Sequence, residues 1–303
     1  MRPVTIEDYR ERMLRVLLHI QENLNREMPL DELAAVANFS PFHFHRIFRG
    51  MVGESVQAHI RRIRLERAAT RLKHGEESVL MIALDAGYES HEAFTRAFRA
   101  VIGQSPSAFR TQCRAQPKGS SPAGVHFGLA RLLDDFVPHA DGGETMEATI
   151  KNMEPMRVAF VRHIGPYDQC GKAWETLCMR VGARGGLGPG SRFIGLSHDD
   201  PDVTPPERIR YDACVTVPAD FQPEGEVGVQ VIEGGDYAVT VHHGPYERLS
   251  ETYARLCGQW VPRNGRSIRA APSVEIYLNA PERTRPEDLA TEVYVPLEPV
   301  REG

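Results

Sequence analysis

The 303-residue sequence predicts a multidomain protein. An all-α domain with two helix-turn-helix units spans 1–115, a linker spans 116–143, and an α+β domain spans 144–303, where a strand-helix unit is duplicated around an antiparallel sheet. Three observations predict this. Ala37-Asn38-Phe39-Ser40 leading to Phe44-His45-Arg46-Ile47-Phe48-Arg49 returns as Ala86-Gly87-Tyr88-Glu89-Ser90 leading to Phe94-Thr95-Arg96-Ala97-Phe98-Arg99, and both run on into Gly-x-Ser. Further on, Arg157 to Tyr167 aligns with Asp236 to Tyr246, and the register holds without a gap through Trp174/Tyr253, Leu177/Leu256 and Cys178/Cys257. Between these repeats, turn formers crowd over 116–124 and apolar periodicity lapses.

Before the break every element reads as helix. An opening helix over about 6–25 carries Met13, Val16, Leu17 and Ile20 at three-to-four spacing, an amphipathic stripe. Leu30–Ala37 follows, with Pro29 suited to a helix start. A longer helix over 56–73 measures about 27 Å, enough to set two reading heads on neighbouring turns of a duplex, about 34 Å apart. A second loosening falls at 140–143, and 125–137 reads equally as a short helix or as plain connection. In the α+β part each repeat reads as a strand, a Gly-Pro-Tyr turn and a helix, with further strands at 211–217, 274–278 and 292–297.

Composition fits an ordinary soluble chain, with 41% hydrophobic and 25% charged residues. No apolar run approaches the roughly 20 residues that span a bilayer, and the first residues begin no signal peptide, so a cytoplasmic location without membrane partners is expected. Cys113, Cys170, Cys178, Cys214 and Cys257 form no C-x-x-C pair and read as reduced thiols. No metal site or cofactor is expected; His43 and His45 diverge by about 200° on a helix and do not suit a shared ion. The net charge of -5 is uneven: residues 1–115 hold 17 Lys+Arg against 14 Asp+Glu, and the remainder carries the acidic excess. One half suits phosphate and the other does not.

In the first unit Phe44, Ile47, Phe48 and Met51 share an inward face, leaving Phe42, His45, Arg46 and Arg49 outward. The second repeats this with Phe94, Ala97, Phe98 and Val101 inside and Glu92, Thr95, Arg96 and Arg99 outside. A solvated helix face would carry similar charges; their duplication with matched polarity favours a DNA reader. Arg bonds guanine bidentately, Glu accepts from cytosine N4, and Phe42 suits a thymine methyl. In the α+β part, strand alternation sets Glu275 and Tyr277 opposite Val274, Ile276 and Leu278, and Glu292 and Tyr294 opposite Val293, Val295 and Leu297. If the aliphatic faces pack under helices, both carboxylates share one aromatic cleft with Tyr167, Trp174 and Tyr246, suited to an apolar organic cation.

Residues from about 30 to 110 resemble the DNA-binding domain of the AraC/XylS family of transcription regulators. The resemblance rests on Leu33-Ala34, Phe39-Ser40-Pro41-Phe42-His43-Phe44-His45-Arg46-Ile47-Phe48, Arg64-Leu65-Glu66-Arg67-Ala68-Ala69, Gly87-Tyr88-Glu89-Ser90 and Gly103-Gln104-Ser105-Pro106. It implies double-stranded DNA as partner, with base contacts from Phe42, His43, His45 and Arg46 and from His91, Glu92, Thr95 and Arg96, and RNA polymerase as a further candidate. Asn38 stands where the family's first turn has glycine, and since Asn tolerates positive φ the turn should survive. Residues 145–299 are similar to GyrI-like effector domains, through His163-Ile164-Gly165-Pro166-Tyr167, Gly244-Pro245-Tyr246, Glu275-Ile276-Tyr277-Leu278-Asn279 and Thr291-Glu292-Val293-Tyr294-Val295-Pro296. That likeness implies a small-molecule pocket with an acidic residue near the final strand, matched best by Glu292. The expected protein is a non-enzymatic regulator, by family resemblance an activator. The rival readings are a small-molecule hydrolase using Glu292 as general base and a pocket-less protein-interaction module.

Overall fold

The computed structural model describes residues 5–112, 119–128, 136–139, 146–201 and 204–300. Cys113, positions 116–118 of the break, 129–135 of the undecided stretch and the loosening at 140–143 lie outside the described residues. Contacts divide the chain into two compact units: Glu7–Phe39 with Met51–Asp141, and Ser40–Gly50 with Gly142–Gly303 and the first six residues.

The first unit is helical. Helix α1 spans Ile6–Glu22 and buries Met13, Val16, Leu17 and Ile20, the stripe read from the sequence. Helix α2, Leu30–Ala37, stops at Asn38, which sits at φ 51°, the one positive φ at a non-glycine among the described residues. The substitution for glycine is accommodated as expected. Helix α3, Pro41–Val52, lies largely in the second unit. Helix α4, Val56–His74, is followed by α5, Val79–Asp85, α6, His91–Ile102, and α7, Pro106–Gln112. Ser55, Ser78 and Ser90 each accept a backbone N–H of the helix they precede, a cap worth about 1 kcal/mol. Leu65 and Leu72 of α4, Ile82 of α5, Phe94 and Phe98 of α6 and Phe109 of α7 form one core.

Part of the expected linker is fastened to this unit. Buried Glu66 of α4 accepts from the backbone N–H of Gly119 at 3.1 Å and of Phe127 at 2.8 Å, and from His126 Nδ1 at 3.0 Å. Arg62, one turn earlier, pairs with Glu66 at 3.0 Å and donates to the Val125 carbonyl at 2.8 Å. A buried carboxylate needs such partners, and here most of them come from the strap itself.

The second unit is built on an eight-stranded antiparallel sheet: β1 Thr149–Met153, β2 Met156–Ile164, β3 Phe193–Ser197, β4 Arg210–Thr216, β5 Gly228–Ile232, β6 Gly235–His243, β7 Ser273–Tyr277 and β8 Ala290–Pro296. Their order across the sheet is β1-β6-β8-β7-β3-β4-β2-β5. Helix α8, Gly171–Gly182, follows β2, and α9, Leu249–Arg255, follows β6, running on into a π-helical turn at Leu256–Trp260. The pseudo-twofold relating the halves therefore passes between β3 and β7. In each Gly-Pro-Tyr turn the glycine takes positive φ, and a histidine Nε2 donates to the proline carbonyl, His163 at 2.9 Å and His242 at 3.1 Å.

Candidate functional site

Helix α6 exposes most of the side chains that the sequence sets outward. His91, Glu92, Arg96 and Arg99 are exposed and Thr95 half-buried, while Phe94 and Phe98 are buried. Its hydrophobic side is fixed by ring contacts of Phe98 with Phe94 at 5.4 Å and Phe109 at 5.6 Å. His91, Glu92, Arg96 and Arg99 are thereby left facing outward, whereas the Thr95 hydroxyl is buried.

Helix α3 departs from the expectation. Phe42 is 37% exposed and Arg49 half-buried, but His43, His45 and Arg46 are buried. The reading that sets His45 and Arg46 outward is corrected for this conformation, because both faces of the helix are covered. His43 Nε2 donates to the Ala271 carbonyl at 2.9 Å. His45 Nδ1 lies 3.1 Å from an Asp200 carboxylate oxygen. Arg46 Nη1 donates to Ser273 Oγ at 2.6 Å, and its Cζ stands 3.7 Å from the ring centre of Tyr253. Burial works to lower the Arg46 pKa, but Tyr253 and Asp200 outweigh it, so the guanidinium keeps its charge.

Arg46 enters an aromatic cluster on the helix-bearing face of the sheet. At its centre Glu275, 4% exposed, accepts from Ser197 Oγ at 2.8 Å, Tyr253 OH at 2.9 Å and Tyr277 OH at 2.8 Å. Tyr211 and Tyr277 share a 2.8 Å hydroxyl contact. Burial first, and the Glu275 charge second, push the pKa of Tyr211, Tyr253 and Tyr277 well up, so these phenols stay protonated as donors. Trp174 lies edge-on to Tyr277 at 5.7 Å, Tyr246 meets Tyr277 at 5.4 Å, and Tyr167 meets Tyr211 at 5.7 Å.

The duplication builds this cluster. Tyr167 and Tyr246 are repeat equivalents, as are Trp174 and Tyr253, so each half supplies one aromatic from its turn and one from its helix. Across the axis Gly195 pairs directly with Glu275. A Cβ at Gly195 would lie 2.5 Å from the Tyr277 hydroxyl and 2.6 Å from that of Tyr211, so only glycine leaves room for both. One carboxylate results, placed at the centre of a symmetric aromatic frame.

The two-carboxylate cleft is also corrected. In antiparallel pairing, residues directly opposite share a face, and Glu292 pairs with Ile276 while Val293 pairs with Glu275. Glu292 and Tyr294 therefore occupy the face away from Glu275 and Tyr277. There Glu292 binds Lys151 Nζ at 2.9 Å and accepts from Tyr294 OH at 2.9 Å. Burial raises its pKa, yet these partners hold it below the usual carboxylate range. Its equivalent in the first half, Asp212, is buried on the same face against Arg162, His198 and Gln230. Sequence reasoning missed Tyr211, Tyr253, Ser197 and Ser273; the register that aligns Tyr253 with Trp174 was the available signal for one of them.

Residues 33–112 match the model of a helix-turn-helix domain family, and 146–298 that of the GyrI-like small molecule binding domain. The chain is 32% identical over 290 residues to the transcriptional regulator Rob of Salmonella typhimurium, covering 93% of this chain and 96% of that protein. It is 24% identical over 297 residues to the right origin-binding protein of Escherichia coli K12, with the same coverage. An HTH-type transcriptional regulator of Bacillus subtilis, YbfP, is 38% identical over 103 residues, 34% of this chain and 35% of that relative, so the chain spans about a third of its length. Among solved structures, EcmrR in its DNA complex aligns at TM-score 0.42 and 24% identity over 51% of this chain and 58% of that one. A hydrolase from Listeria innocua aligns at TM-score 0.41 and 14% identity over 52% and 94%.

Proposed function

The chain belongs to the family of AraC/Rob-type transcriptional regulators carrying a GyrI-like small-molecule-binding domain, and on that premise we propose that it activates transcription in response to an aromatic or amphipathic organic cation held over Glu275. The carrying observation is the single buried carboxylate ringed by Tyr167, Trp174, Tyr211, Tyr246, Tyr253 and Tyr277. Ring faces attract a cation, and a carboxylate shielded from water adds Coulombic attraction. Base readout is assigned to Phe42, His43, His45 and Arg46 of α3 and to His91, Glu92, Thr95 and Arg96 of α6, with Arg49 and Arg99 on phosphate. RNA polymerase is the further partner that activation requires.

Binding rather than turnover fits the acidic groups. Glu275 is committed to three hydroxyl donors, and Glu292, held anionic by Lys151 and Tyr294, is a weak general base. Two measurements test the reading. In gel shifts with genomic fragments at saturating phenylguanidinium, Arg46→Ala combined with Arg96→Ala should cost about thirtyfold or more in affinity, since each bidentate contact is worth about 1–3 kcal/mol; unchanged retention would overturn the DNA assignment. Titration with phenylguanidinium, followed by Trp174 fluorescence, should saturate in the wild type and be lost in Glu275→Gln. Equal binding by both chains would discard Glu275 as the anchor.

A further inference from the structure

We propose that α3 is the resident occupant of the Glu275 cluster: Arg46 is an internal organic cation that an incoming one displaces, and its displacement frees the first reading helix for DNA. The proposal rests on the ligand reading above and specifies how that site is regulated.

Three polar side chains of α3 are spent inside the unit. Arg46 stacks on Tyr253, whose hydroxyl donates to Glu275, and binds Ser273, the strand neighbour of Glu275 two residues back. His43 is fixed to the Ala271 carbonyl and His45 to Asp200. These are the groups assigned to base edges, and with His43, His45 and Arg46 all buried in the unit no base edge can reach them. The buried arrangement and DNA contact through α3 therefore exclude one another.

The seat is also shaped for a helix. Gly50 of α3 lies against Gly258 of the π-helical turn: a Cβ at Gly258 would fall 2.6 Å from Gly50 Cα, and one at Gly50 would fall 2.0 Å from the Ala254 carbonyl oxygen. Gln259 Nε2 donates to the Gly50 carbonyl at 3.4 Å. Backbone contact this close needs glycine on both sides. A guanidinium over a tyrosine ring is moreover the chemistry expected of a planar organic cation in the same place. A ligand that binds only where Arg46 has left shifts the balance toward the released helix by its affinity for that state alone.

Phenylguanidinium, a planar mimic of the arginine head, tests this on the full chain, with neutral phenylurea as control. Arg46→Leu vacates the site and should bind phenylguanidinium at least about tenfold tighter than the wild type. Gly258→Leu, which wedges α3 away without touching the cluster's polar groups, should show a gain in the same direction and should retain a genomic DNA fragment without ligand as well as the wild type does with it. Phenylurea should bind none of them. Equal phenylguanidinium affinity in wild type, Arg46→Leu and Gly258→Leu would overturn the competition while leaving the ligand site standing. Absence of binding in all three would remove the ligand site and the competition with it.

Discussion

His43 shows how a single side chain ties the state of α3 to pH. Burial, and then the neighbouring Arg46 charge, push its pKa down to about 3, against a partial pull upward from the Ala271 and Arg269 carbonyls. The ordinary value is about 6.5, so below that pH the unfolded chain takes up a proton that the folded one refuses. The neutral ring's contribution is complete above pH 6.5 and drains away as the pH falls toward 3. Between pH 7 and pH 5 this one group should cost about 2 kcal/mol of stability, at 1.36 kcal/mol per unit. Unfolding by denaturant at the two pH values, compared with His43→Asn, checks it; parallel losses in both chains would show that His43 is not responsible. Nothing local in Phe42-His43-Phe44-His45-Arg46 announces this burial, because the groups that cover it lie more than 150 residues away in the chain. A helical wheel assigns faces, but a helix covered on both sides defeats it.

At the scale of elements, periodicity served where one face of an element meets a core and failed where the pattern was short or the register mattered. Helices α1, α2 and α4 and strands β4, β7 and β8 fall within a few residues of their expected bounds, since their apolar spacing matches a single buried face. Strand β3 escaped because Gly195 interrupts a five-residue run, and that glycine is present to admit two phenols. Glu275 and Glu292 were both legible as strand acids; the β7-β8 register that puts them on opposite faces was not, as one residue of slip exchanges the faces. The strap over α4 was equally hidden, since its fastening depends on Glu66, a residue of ordinary helical appearance. Glu66→Ala leaves Arg62 to its other partner Glu54 but strips the Gly119 and Phe127 N–H of their acceptor, and each buried donor left unsatisfied costs about 1–3 kcal/mol. Chemical denaturation should report a loss of that size, together with faster amide exchange at Gly119 and Phe127. A change under about 1 kcal/mol would mean the strap is held by its apolar residues Ala123 and Val125 instead.

For the whole molecule the division of charge and the division of labour coincide. The helical region carries a small basic surplus and the remainder a larger acidic excess, so DNA attraction must come from where the arginines stand rather than from net charge. On α6, Arg96 sits one turn from the N-terminal residues His91 and Glu92 and Arg99 a turn further along; under the proposed readout Arg96 meets base edges and Arg99 the flanking backbone. The two should therefore fail differently. Arg99→Ala should weaken binding to all fragments alike and reduce the slope of log affinity against log salt by about one. Arg96→Ala should cost about 1–3 kcal/mol on the preferred fragment, much less on unrelated DNA, and so relax discrimination. Gel shifts of both variants on a preferred and an unrelated fragment, across a salt series, separate the roles. If both variants lost affinity equally on both fragments with the same change in slope, α6 would be a phosphate clamp, and sequence reading would fall to α3, the helix whose polar face is spent on the sheet unit in this conformation.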